Sequence, residues 1–505
     1  MSIINRRSSG ILLHPTSLPG RWGIGDLGAA AYQFVDFLQA TGQQLWQVMP
    51  LGPTGYGDSP YQSFSAFAGN PMLISIEALL DERLLAEEDL ADAPQLPAHA
   101  VDFGAVIPFK QAVLRRSFER FSAETTPELR QQFNDFLAQN HSWLNDYALF
   151  AALKEAHGGA GWNSWPAEIA RHEPDAVAHW SRELSPQVQF HSYVQFLFRR
   201  QWHNLKQYAN ERGIGIIGDI PIFVAYDSAD LWANPDLFWL DQDGGPTVVA
   251  GVPPDYFSVT GQRWGNPLYR WNVLAQRGYT WWIERFRVTF SLVDVVRIDH
   301  FRGFAAYWEV PASEETAING RWVAGPGREL FDAVRASLGD VPIIAEDLGL
   351  ITPDVIELRD GLALPGMKVL QFAFGGSSAD PYLPHNYLPR CVVYTGTHDN
   401  DTTRGWWQTL PEHERVRVQL YLGRDGSDIS WDLIRLALMS VADTAIIPLQ
   451  DVLDLGSEAR MNTPGLPAGN WSWRFLPEAL NRHVVDRLRT LTWLYGRMPP
   501  EQAAS

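Results

Sequence analysis

Four acidic side chains stand at the ends of short apolar segments and could act together. Asp219, Asp299, Glu346 and Asp399 each close an apolar run that is bounded by glycine or proline. If these runs are parallel strands of one barrel, their carboxyl ends meet at one mouth, and the four carboxylates lie within a few ångströms of each other. Like charges held so close cost free energy, so such a cluster indicates acid/base catalysis, nucleophilic catalysis or metal binding.

Two kinds of chemistry fit this cluster. In the first, three carboxylates bind Mg²⁺ in a barrel lyase or isomerase, which also requires a lysine or histidine base. Lys368 is the only lysine on a predicted strand, and it precedes the end of that strand. In the second, two carboxyls flank a glycosidic bond as nucleophile and general acid/base, and a retaining mechanism places them about 5–5.5 Å apart.

The residues beside two of the carboxylates favour the sugar chemistry. Arg297 lies two positions before Asp299 and shares its face of a strand, so we expect the guanidinium to depress the pKa of that carboxyl. His300 and His398 adjoin Asp299 and Asp399 and could hydrogen-bond sugar hydroxyls. As strand neighbours, however, both imidazoles should point to the opposite face unless the backbone bends there.

Glu346 has a different surrounding from Asp299. It follows the apolar residues Ile343, Ile344 and Ala345, so partial burial is expected to raise its pKa and suit it to acid catalysis. Two carboxyls whose environments push their pKa values apart are the pattern expected of an acid/base and a nucleophile.

Eight apolar runs must position these side chains. Most lack strict alternation of apolar and polar residues, which is typical of strands buried on both faces of a parallel sheet. The predicted strands are 10–14, 45–51, 215–223, 293–301, 342–348, 367–374, 392–399 and 444–451. Helical periodicity lies between many of them, at 29–41, 188–212, 279–290, 327–338 and 430–441. This alternation predicts an α/β fold, a (β/α)8 TIM barrel, with an open doubly wound sheet as the alternative.

The chain is about twice as long as a minimal barrel of roughly 250 residues. We therefore predict one catalytic barrel over residues 1–505 with two inserted subdomains. Residues 52–213, between strands 2 and 3, are expected to be largely helical, with patterns at 109–121 and 128–155. Residues 224–292, between strands 3 and 4, contain an irregular aromatic loop that could cover the active site.

Composition excludes several classes of protein. With 46% hydrophobic and 19% charged residues, the chain is neither disordered nor fibrous. A formal net charge of −18 disfavours nucleic acid and anionic membranes as partners, and no apolar run of membrane-spanning length is present. Cys391 is the single cysteine, which fits a reducing cytoplasm, and the residues before His14 lack the long apolar run expected of a signal peptide, so we expect none there.

No cofactor or metal is expected. Gly23, Gly25 and Gly28 match a dinucleotide fingerprint, but that motif must follow a strand, and the preceding SLPGRW cannot form one. Neither the single cysteine nor the histidine spacing matches a zinc site.

Longer motifs then give a specific resemblance. RIDHF (297–301), IIAEDLG (343–349), TGTHDN (395–400) and GDIPIFV (218–224) resemble four signature regions of the α-amylase superfamily. The segments at 45–71, 253–271 and 460–474 are more specific. Together they resemble the 4-α-glucanotransferase family, also called amylomaltase or disproportionating enzyme, from about Gly10 to about Arg489.

The resemblance implies roles for individual residues. Asp299 would be the nucleophile, Glu346 the general acid/base, and Asp399 the third carboxylate, which binds sugar hydroxyls and stabilises the transition state. Tyr61 would be a stacking platform on the non-reducing side of the cleavage point, and Asp219 would support the donor sugar. The substrate-binding residues implied are Tyr61, Asp219, Tyr256, Phe257, Gln262, Trp264, Arg297, His300, His398 and Asn400, of which 256, 257, 262 and 264 belong to a loop over the acceptor side.

The implied reaction is cofactor-free transfer of α-1,4-glucan segments between malto-oligosaccharides, with retention through a covalent glycosyl-aspartate. Water would resolve the same intermediate by hydrolysis, so a retaining α-glucan hydrolase is the main alternative. The Mg²⁺-dependent lyase or isomerase and an inactive glucan-binding protein are the others. The protein is expected to be cytoplasmic and monomeric, with a homodimer as the alternative.

Overall fold

The predicted apolar runs form strands in the computed structural model, which describes residues 4, 6–254 and 258–500. Twelve strands lie within these residues. In chain order they are β1 (Ser8–Leu12), β2 (Leu45–Gln47), β3 (Gly215–Pro221), β4 (Val248–Val252), β5 (Gln262–Pro267), β6 (Val295–Asp299), β7 (Ala306–Pro311), β8 (Arg321–Ala324), β9 (Ile343–Ala345), β10 (Gly366–Val369), β11 (Cys391–Tyr394) and β12 (Thr444–Pro448). Each of the eight predicted runs overlaps one strand of a single parallel sheet.

That sheet has the strand order β10-β11-β12-β1-β2-β3-β6-β9. Its two outer strands also meet, because the Ala345 N–H donates to the Pro365 carbonyl at 3.0 Å. Next to this contact, the Met367 N–H donates to Asp347 Oδ1 at 2.7 Å. The sheet is therefore a nearly closed eight-stranded barrel. The predicted TIM barrel is confirmed, and the open doubly wound sheet is not observed.

The apolar character of the strands follows from burial on both faces. In β12, Ile446 faces the barrel interior, whereas Ala445 and Ile447 face the surrounding helices. The same alternation runs around the barrel, so nearly every strand position needs an apolar residue. The interior side chains include Leu12, Leu45, Ile217, Val295, Ile344, Met367, Val369, Val392, Tyr394 and Ile446.

Seventeen α-helices lie within the described residues. Side-chain caps begin several of them, as where Asp102 accepts from the Ala105 N–H and Asn481 from the Val484 N–H. They are α1 (Ala29–Ala40), α2 (Ile76–Asp81), α3 (Phe103–Glu124), α4 (Pro127–Ala156), α5 (Ala167–Ala170), α6 (Pro174–Glu183), α7 (Ser185–Glu211), α8 (Ala229–Ala233), α9 (Trp271–Gln276), α10 (Thr280–Leu292), α11 (Arg328–Leu338), α12 (Pro353–Gly361), α13 (Thr403–Thr409), α14 (Glu412–Leu422), α15 (Ile429–Met439), α16 (Leu449–Val452) and α17 (Arg482–Leu494). The five predicted barrel helices overlap α1, α7, α10, α11 and α15.

The residues between β2 and β3 contain α2–α7. Aromatic side chains join the three long helices of this insertion: Phe121 of α3 lies 4.6 Å from Tyr193 of α7, and Phe133 of α4 lies 5.5 Å from Phe196 of α7, between ring centroids. These aromatic side chains are therefore packing surface of the insertion. Among tryptophans, Trp46, Trp202, Trp232 and Trp282 are fully buried.

A second sheet includes two strands from region 224–292, where the sequence predicted an irregular loop, and two strands from after β6. It has four antiparallel strands in the order β5-β4-β7-β8. β4 and β5 come from the segment before β6, and β7 and β8 from the segment after it. The sequence missed these strands because a bulge between Val249 and Gly251 interrupts the alternation of β4, and its partner β7 lies far along the chain. Tyr256 and Phe257, predicted to belong to a loop over the acceptor side, lie outside the described residues.

None of the helices within the described ranges is long and apolar enough to cross a lipid bilayer.

The pairing of β1 with β2 gives a test of the barrel's close packing. Gly10 is opposite Leu45, and a Cβ at Gly10 would lie 2.4 Å from the Leu45 carbonyl oxygen. We expect Gly10→Ala to lower the free energy of unfolding by about 1–3 kcal/mol, because neither backbone can move away inside the barrel. Unfolding in urea, followed by tryptophan fluorescence, measures this loss.

Gly104→Ala is the matched control for that substitution. Gly104 lies in the first turn of α3, where the nearest atom to an added Cβ is Asp102 Oδ1 at 3.4 Å. Alanine is the better helix former, so this variant should be as stable as the parent or more stable. Equal stability of Gly10→Ala and Gly104→Ala would contradict the tight β1–β2 contact.

Candidate active site

Three of the four predicted carboxylates lie on adjacent barrel strands. Asp219 lies within β3, Asp299 is the last residue of β6, and Glu346 directly follows β9. The register pairs Asp219 with Arg297 across β3 and β6, and Ile298 with Ala345 across β6 and β9. Asp299 and Glu346 are thus the next residues on two neighbouring parallel strands.

A buried arginine stands between two of these carboxylates. Arg297 Nη1 donates to Asp219 Oδ2 at 2.5 Å, and Nη2 lies 3.0 Å from Asp299 Oδ1. The side chains of Arg297 and Asp219 are only 5% and 1% exposed. Tyr61 adds a neutral donor, since its hydroxyl donates to Asp219 Oδ2 at 2.8 Å. One guanidinium therefore compensates two carboxylates, of which Asp219 is buried and Asp299 is 32% exposed.

The expected depression of the Asp299 pKa is wrong. Burial raises the pKa of Asp299 to about 6. Arg297 lowers it, as the sequence suggested, but the arginine shares its charge with Asp219, and the negative charges of Asp219 and Asp399 add to the increase. The motif identified the right neighbour of Asp299, but not the burial that outweighs it.

The pKa of Glu346 is raised, as the sequence predicts. Burial, followed by the nearby charge of Asp299, raises its pKa to about 8. The carboxylate accepts the His300 N–H on Oε2 at 2.7 Å and the Leu348 N–H on Oε1 at 2.8 Å. These two donors oppose the increase and fix the orientation of the carboxyl group. Because His300 follows Asp299 in the chain, the bond from its N–H also ties Glu346 to the strand that carries Asp299.

The backbone bends at His300. Its φ is +54°, in the left-handed region, so β6 ends there and the imidazole does not continue the alternation of the strand. The ring meets Trp264 edge to face, with centroids 4.7 Å apart, and Trp264 Nε1 donates to Gln262 Oε1 at 3.1 Å. Burial lowers the His300 pKa to about 3, so this imidazole is neutral. Three predicted binding residues, from β5 and the end of β6, thus form one contact chain.

Asp399 is held by a loop instead of a strand end. β11 ends at Tyr394, and a turn follows in which Asn400 Oδ1 accepts from both the N–H and the hydroxyl of Thr397 at 2.9 Å. His398 lies in the same turn, with Nε2 3.4 Å from Asp399 Oδ1. The predicted run 392–399 was therefore longer than the strand it contains.

Asp451 fastens both ends of this loop. Its carboxylate accepts the hydroxyl of Thr395, just after β11, and the N–H and hydroxyl of Thr403, where α13 begins, the latter two at 2.7 and 2.8 Å. Asp451 is almost fully buried, and burial raises its pKa. The sequence showed only an aspartate at the end of another apolar run, with no sign of this role.

Tyr61 and His398 lie ring on ring beside the carboxylates. Their centroids are 5.0 Å apart with an interplanar angle of 14°, and Trp471 lies 5.9 Å from Tyr61. Tyr61 therefore belongs to an aromatic stack next to Asp219 and Asp399, so one of its faces is covered by His398.

Sequence reasoning missed the contacts of segment 460–471. Asn462 Nδ2 donates to Asp399 Oδ1 at 2.6 Å, and Arg460 Nη2 donates to the Asp399 carbonyl at 2.7 Å. The motif RMNTPGLPAGNWSWR had marked this segment, but no residue in it had been given a role. Its polar residues in an otherwise Gly/Pro-rich stretch were the available signal.

No group of three or more His, Cys, Asp or Glu residues in the described part of the chain is arranged to hold a metal ion. At the carboxylate cluster, the cation in contact with Asp219 and Asp299 is the Arg297 guanidinium. The site can therefore offer a raised-pKa acid, a carboxylate next to it, and fixed polar groups around both.

The chain matches a known protein family along most of its length. The family described as 4-alpha-glucanotransferase matches residues 13–479. The 4-alpha-glucanotransferase of Synechocystis sp. is 52% identical over 499 residues, 98% of this chain and 99% of the relative. That of Thermus thermophilus is 53% identical over 493 residues, 96% of this chain and 98% of the relative.

Solved structures show the same relationship. An amylomaltase from Streptococcus agalactiae, in complex with acarbose, has a TM-score of 0.94 and 40% identity, covering 98% of this chain and all of its own. An amylomaltase from Corynebacterium glutamicum shares the fold at a TM-score of 0.76 and 20% identity, covering 97% of this chain and 75% of its own. The chain belongs to the 4-alpha-glucanotransferase family and is an amylomaltase-type enzyme that acts on α-glucans.

Proposed function

We propose that the enzyme transfers α-1,4-glucan segments between malto-oligosaccharides by a retaining double displacement, with Asp299 as nucleophile and Glu346 as general acid/base. The observation that carries this proposal is the position of the two carboxyls. Ile298 and Ala345 are paired on neighbouring strands, and Asp299 and Glu346 are the residues that directly follow them. Neighbouring strands lie about 4.8 Å apart. A retaining pair requires about 5–5.5 Å between its carboxyl groups.

In the first step, protonated Glu346 gives its proton to the glycosidic oxygen. Asp299 attacks C1 of the donor sugar, the bond between C1 and that oxygen breaks, and the reducing-side glucan leaves with a free 4-hydroxyl. The raised pKa of Glu346 supplies a proton near neutral pH, and Asp299 must be ionised to attack.

In the second step, the 4-hydroxyl of an acceptor glucan attacks C1 of the glycosyl-enzyme. Glu346, now ionised, takes the hydroxyl proton, and the ester bond to Asp299 breaks. Two inversions at C1 leave the new linkage in the α configuration. Glu346 regains its proton, and the enzyme returns to its starting state without a cofactor.

The remaining polar groups would bind and orient the donor sugar. Asp399 is half-exposed at the mouth and would accept hydrogen bonds from ring hydroxyls, with His398 beside it. Arg297 holds Asp299 in place and Asp219 balances the arginine. Asn400 acts mainly through the turn that presents Asp399. Tyr61 would pack its ring edge and its uncovered face against the sugar on the non-reducing side.

The antiparallel sheet would provide the acceptor side. Gln262, Trp264 and His300 form a contact chain from that sheet to the nucleophile strand, and Tyr256 and Phe257 of the same segment are proposed to complete it. Apolar rings displace water and match the apolar faces of pyranose rings. An ordered acceptor then competes with water at a high effective concentration, which favours transfer over hydrolysis.

We further propose that the enzyme works as a monomer in the cytoplasm. Cys391 is buried in β11, and burial raises its pKa to about 12, so the thiol is unreactive and needs no disulfide partner.

Maltotriose as sole substrate distinguishes transfer from hydrolysis. We expect glucose together with maltopentaose and longer oligomers, while the total number of reducing ends stays constant, because each cleaved linkage is replaced by a new one. Chromatography of the products and a reducing-end assay measure both. A steady rise in reducing ends without chains longer than maltotriose would make the enzyme a hydrolase.

The covalent intermediate can be trapped with a donor that needs no acid. In Glu346→Ala, α-maltotriosyl fluoride should still glycosylate Asp299, because fluoride leaves without protonation, but deglycosylation should be slow for lack of a base. Mass spectrometry should show the protein heavier by one maltotriosyl unit, on the peptide that contains Asp299.

Two variants control this experiment. Asp299→Ala should form no adduct and nearly lose transfer, with its fold intact by circular dichroism. Glu309→Gln changes a buried glutamate beside Arg321 in the antiparallel sheet. Its transfer activity should equal that of the parent. An adduct on another residue, or substantial transfer by Asp299→Ala, would remove Asp299 from the role of nucleophile.

The pH dependence of kcat/KM should be bell-shaped. The rate rises with pH as Asp299 ionises near pH 6, and it falls with further increase as Glu346 loses its proton near pH 8. With α-maltotriosyl fluoride as donor, the alkaline limb of the glycosylation step should flatten, because this step no longer needs the acid. Retention of a steep alkaline limb with the fluoride donor would show that another group controls it.

A further inference from the structure

We propose that Asn462 is a positioning residue for the reaction: it orients the carboxylate of Asp399 so that one oxygen is directed to the donor sugar. This inference rests on the proposed role of Asp399 in transition-state binding. It gives a role to a residue of segment 460–471. This segment belongs to a family-like motif, but the mechanism above gives none of its residues a function.

The contacts of the Asp399 carboxylate are one-sided. Asn462 Nδ2 donates to Oδ1 at 2.6 Å, and His398 Nε2 lies 3.4 Å from the same oxygen. Among the described residues, the side-chain contacts to this carboxylate thus converge on Oδ1. Oδ2 is left for substrate hydroxyls, and the bond at Oδ1 fixes the plane of the carboxylate.

Asn462 is itself held in register with Asp399. The Asn462 N–H donates to the His398 carbonyl at 3.1 Å. Arg460 joins the two segments, because Nη2 donates to the Asp399 carbonyl at 2.7 Å and Nε to the Asn462 carbonyl at 2.8 Å. Further on, the Trp471 N–H donates to the Met461 carbonyl at 2.7 Å. Four hydrogen bonds therefore hold the backbone around Asn462 against the turn that carries Asp399.

Asp399 needs such a partner more than Asp299 does. Its side chain is 49% exposed and lies on a loop, so without Asn462 it would sample several rotamers in the free enzyme. An amide is a neutral donor. It restricts the geometry of Asp399 and leaves the full negative charge available where positive charge develops on the sugar ring. An arginine at the same place would fix the geometry but neutralise that charge.

The test compares Asn462→Ala with the parent in maltotriose disproportionation. We expect kcat to fall about 10- to 100-fold, the range for losing one hydrogen bond to a charged group, with a smaller change in KM. The thermal midpoint should stay close to that of the parent, because the bond is half-exposed. Asn210→Ala is the matched control: it removes an Asn-to-Asp hydrogen bond of 2.9 Å, to Asp294 at the opposite end of β6, and should leave kcat unchanged.

A double-mutant cycle with Asp399→Asn decides whether Asn462 acts through Asp399. In the Asp399→Asn background, Asn462→Ala should change kcat less than about twofold, because the group it positions is already lost. If Asn462→Ala has the parent's kcat, or has its full effect in both backgrounds, the positioning role is wrong while the function of Asp399 stands. If Asp399→Asn alone transfers as well as the parent, the proposed role of Asp399 fails instead.

Discussion

The active-site structure depends on the electrostatic free energy that it costs to hold several carboxylates together at the mouth of the barrel. Arg297 offsets part of this cost. Parallel strands of a barrel bring their ends together whatever the side chains are, and here β3, β6 and β9 present Asp219, Asp299 and Glu346. One buried guanidinium divides its charge between the first two. Burial raises the pKa of the third carboxyl, Glu346, to about 8, and the negative charge of Asp299 adds to the increase, because the single guanidinium only partly offsets both effects. Burial and the limited positive charge together separate the two pKa values, which is the division between an ionised residue and a proton donor that the proposed reaction needs.

The carboxylates outside this group are held differently. Asp451 is buried but accepts hydrogen bonds from Thr395 and Thr403, and Asp399 accepts from Asn462. Neutral donors fix an oxygen without cancelling its charge, whereas an ion pair does both. The molecule therefore uses arginine where the strand backbone already fixes position, as at Asp299, and uses hydroxyl or amide donors where a loop must be shaped around the acid.

The barrel and the placement of Asp299 and Glu346 at adjacent strand ends could be predicted from sequence, since both depend on local patterns: apolar runs that end in an acid, and the motifs RIDHF and IIAEDLG. Features that depend on distant pairing could not. β7 and β8 form strands because β4 lies beside them, and Asn462 reaches Asp399 from a segment far along the chain. The shift in the pKa of Asp299 was predicted in the wrong direction. The sequence shows Arg297 beside Asp299, but it shows neither the burial of the site nor the ion pair that Arg297 also forms with Asp219. The sequence predicts that the His300 imidazole points to the opposite face of the strand unless the backbone bends there. The left-handed φ of His300 is such a bend, and no residue pattern predicts it.

The antiparallel sheet interrupts the barrel in an unusual way. Two of its strands precede β6 and two follow it, so the strand that carries Asp299 enters and leaves the barrel between halves of a single sheet. The antiparallel sheet therefore cannot be removed or exchanged between enzymes by replacing the chain at a single loop. Any recombination of this sheet must carry residues 224–342 together, with the strand that bears Asp299 included, so the sheet and that carboxyl group would be exchanged as one unit.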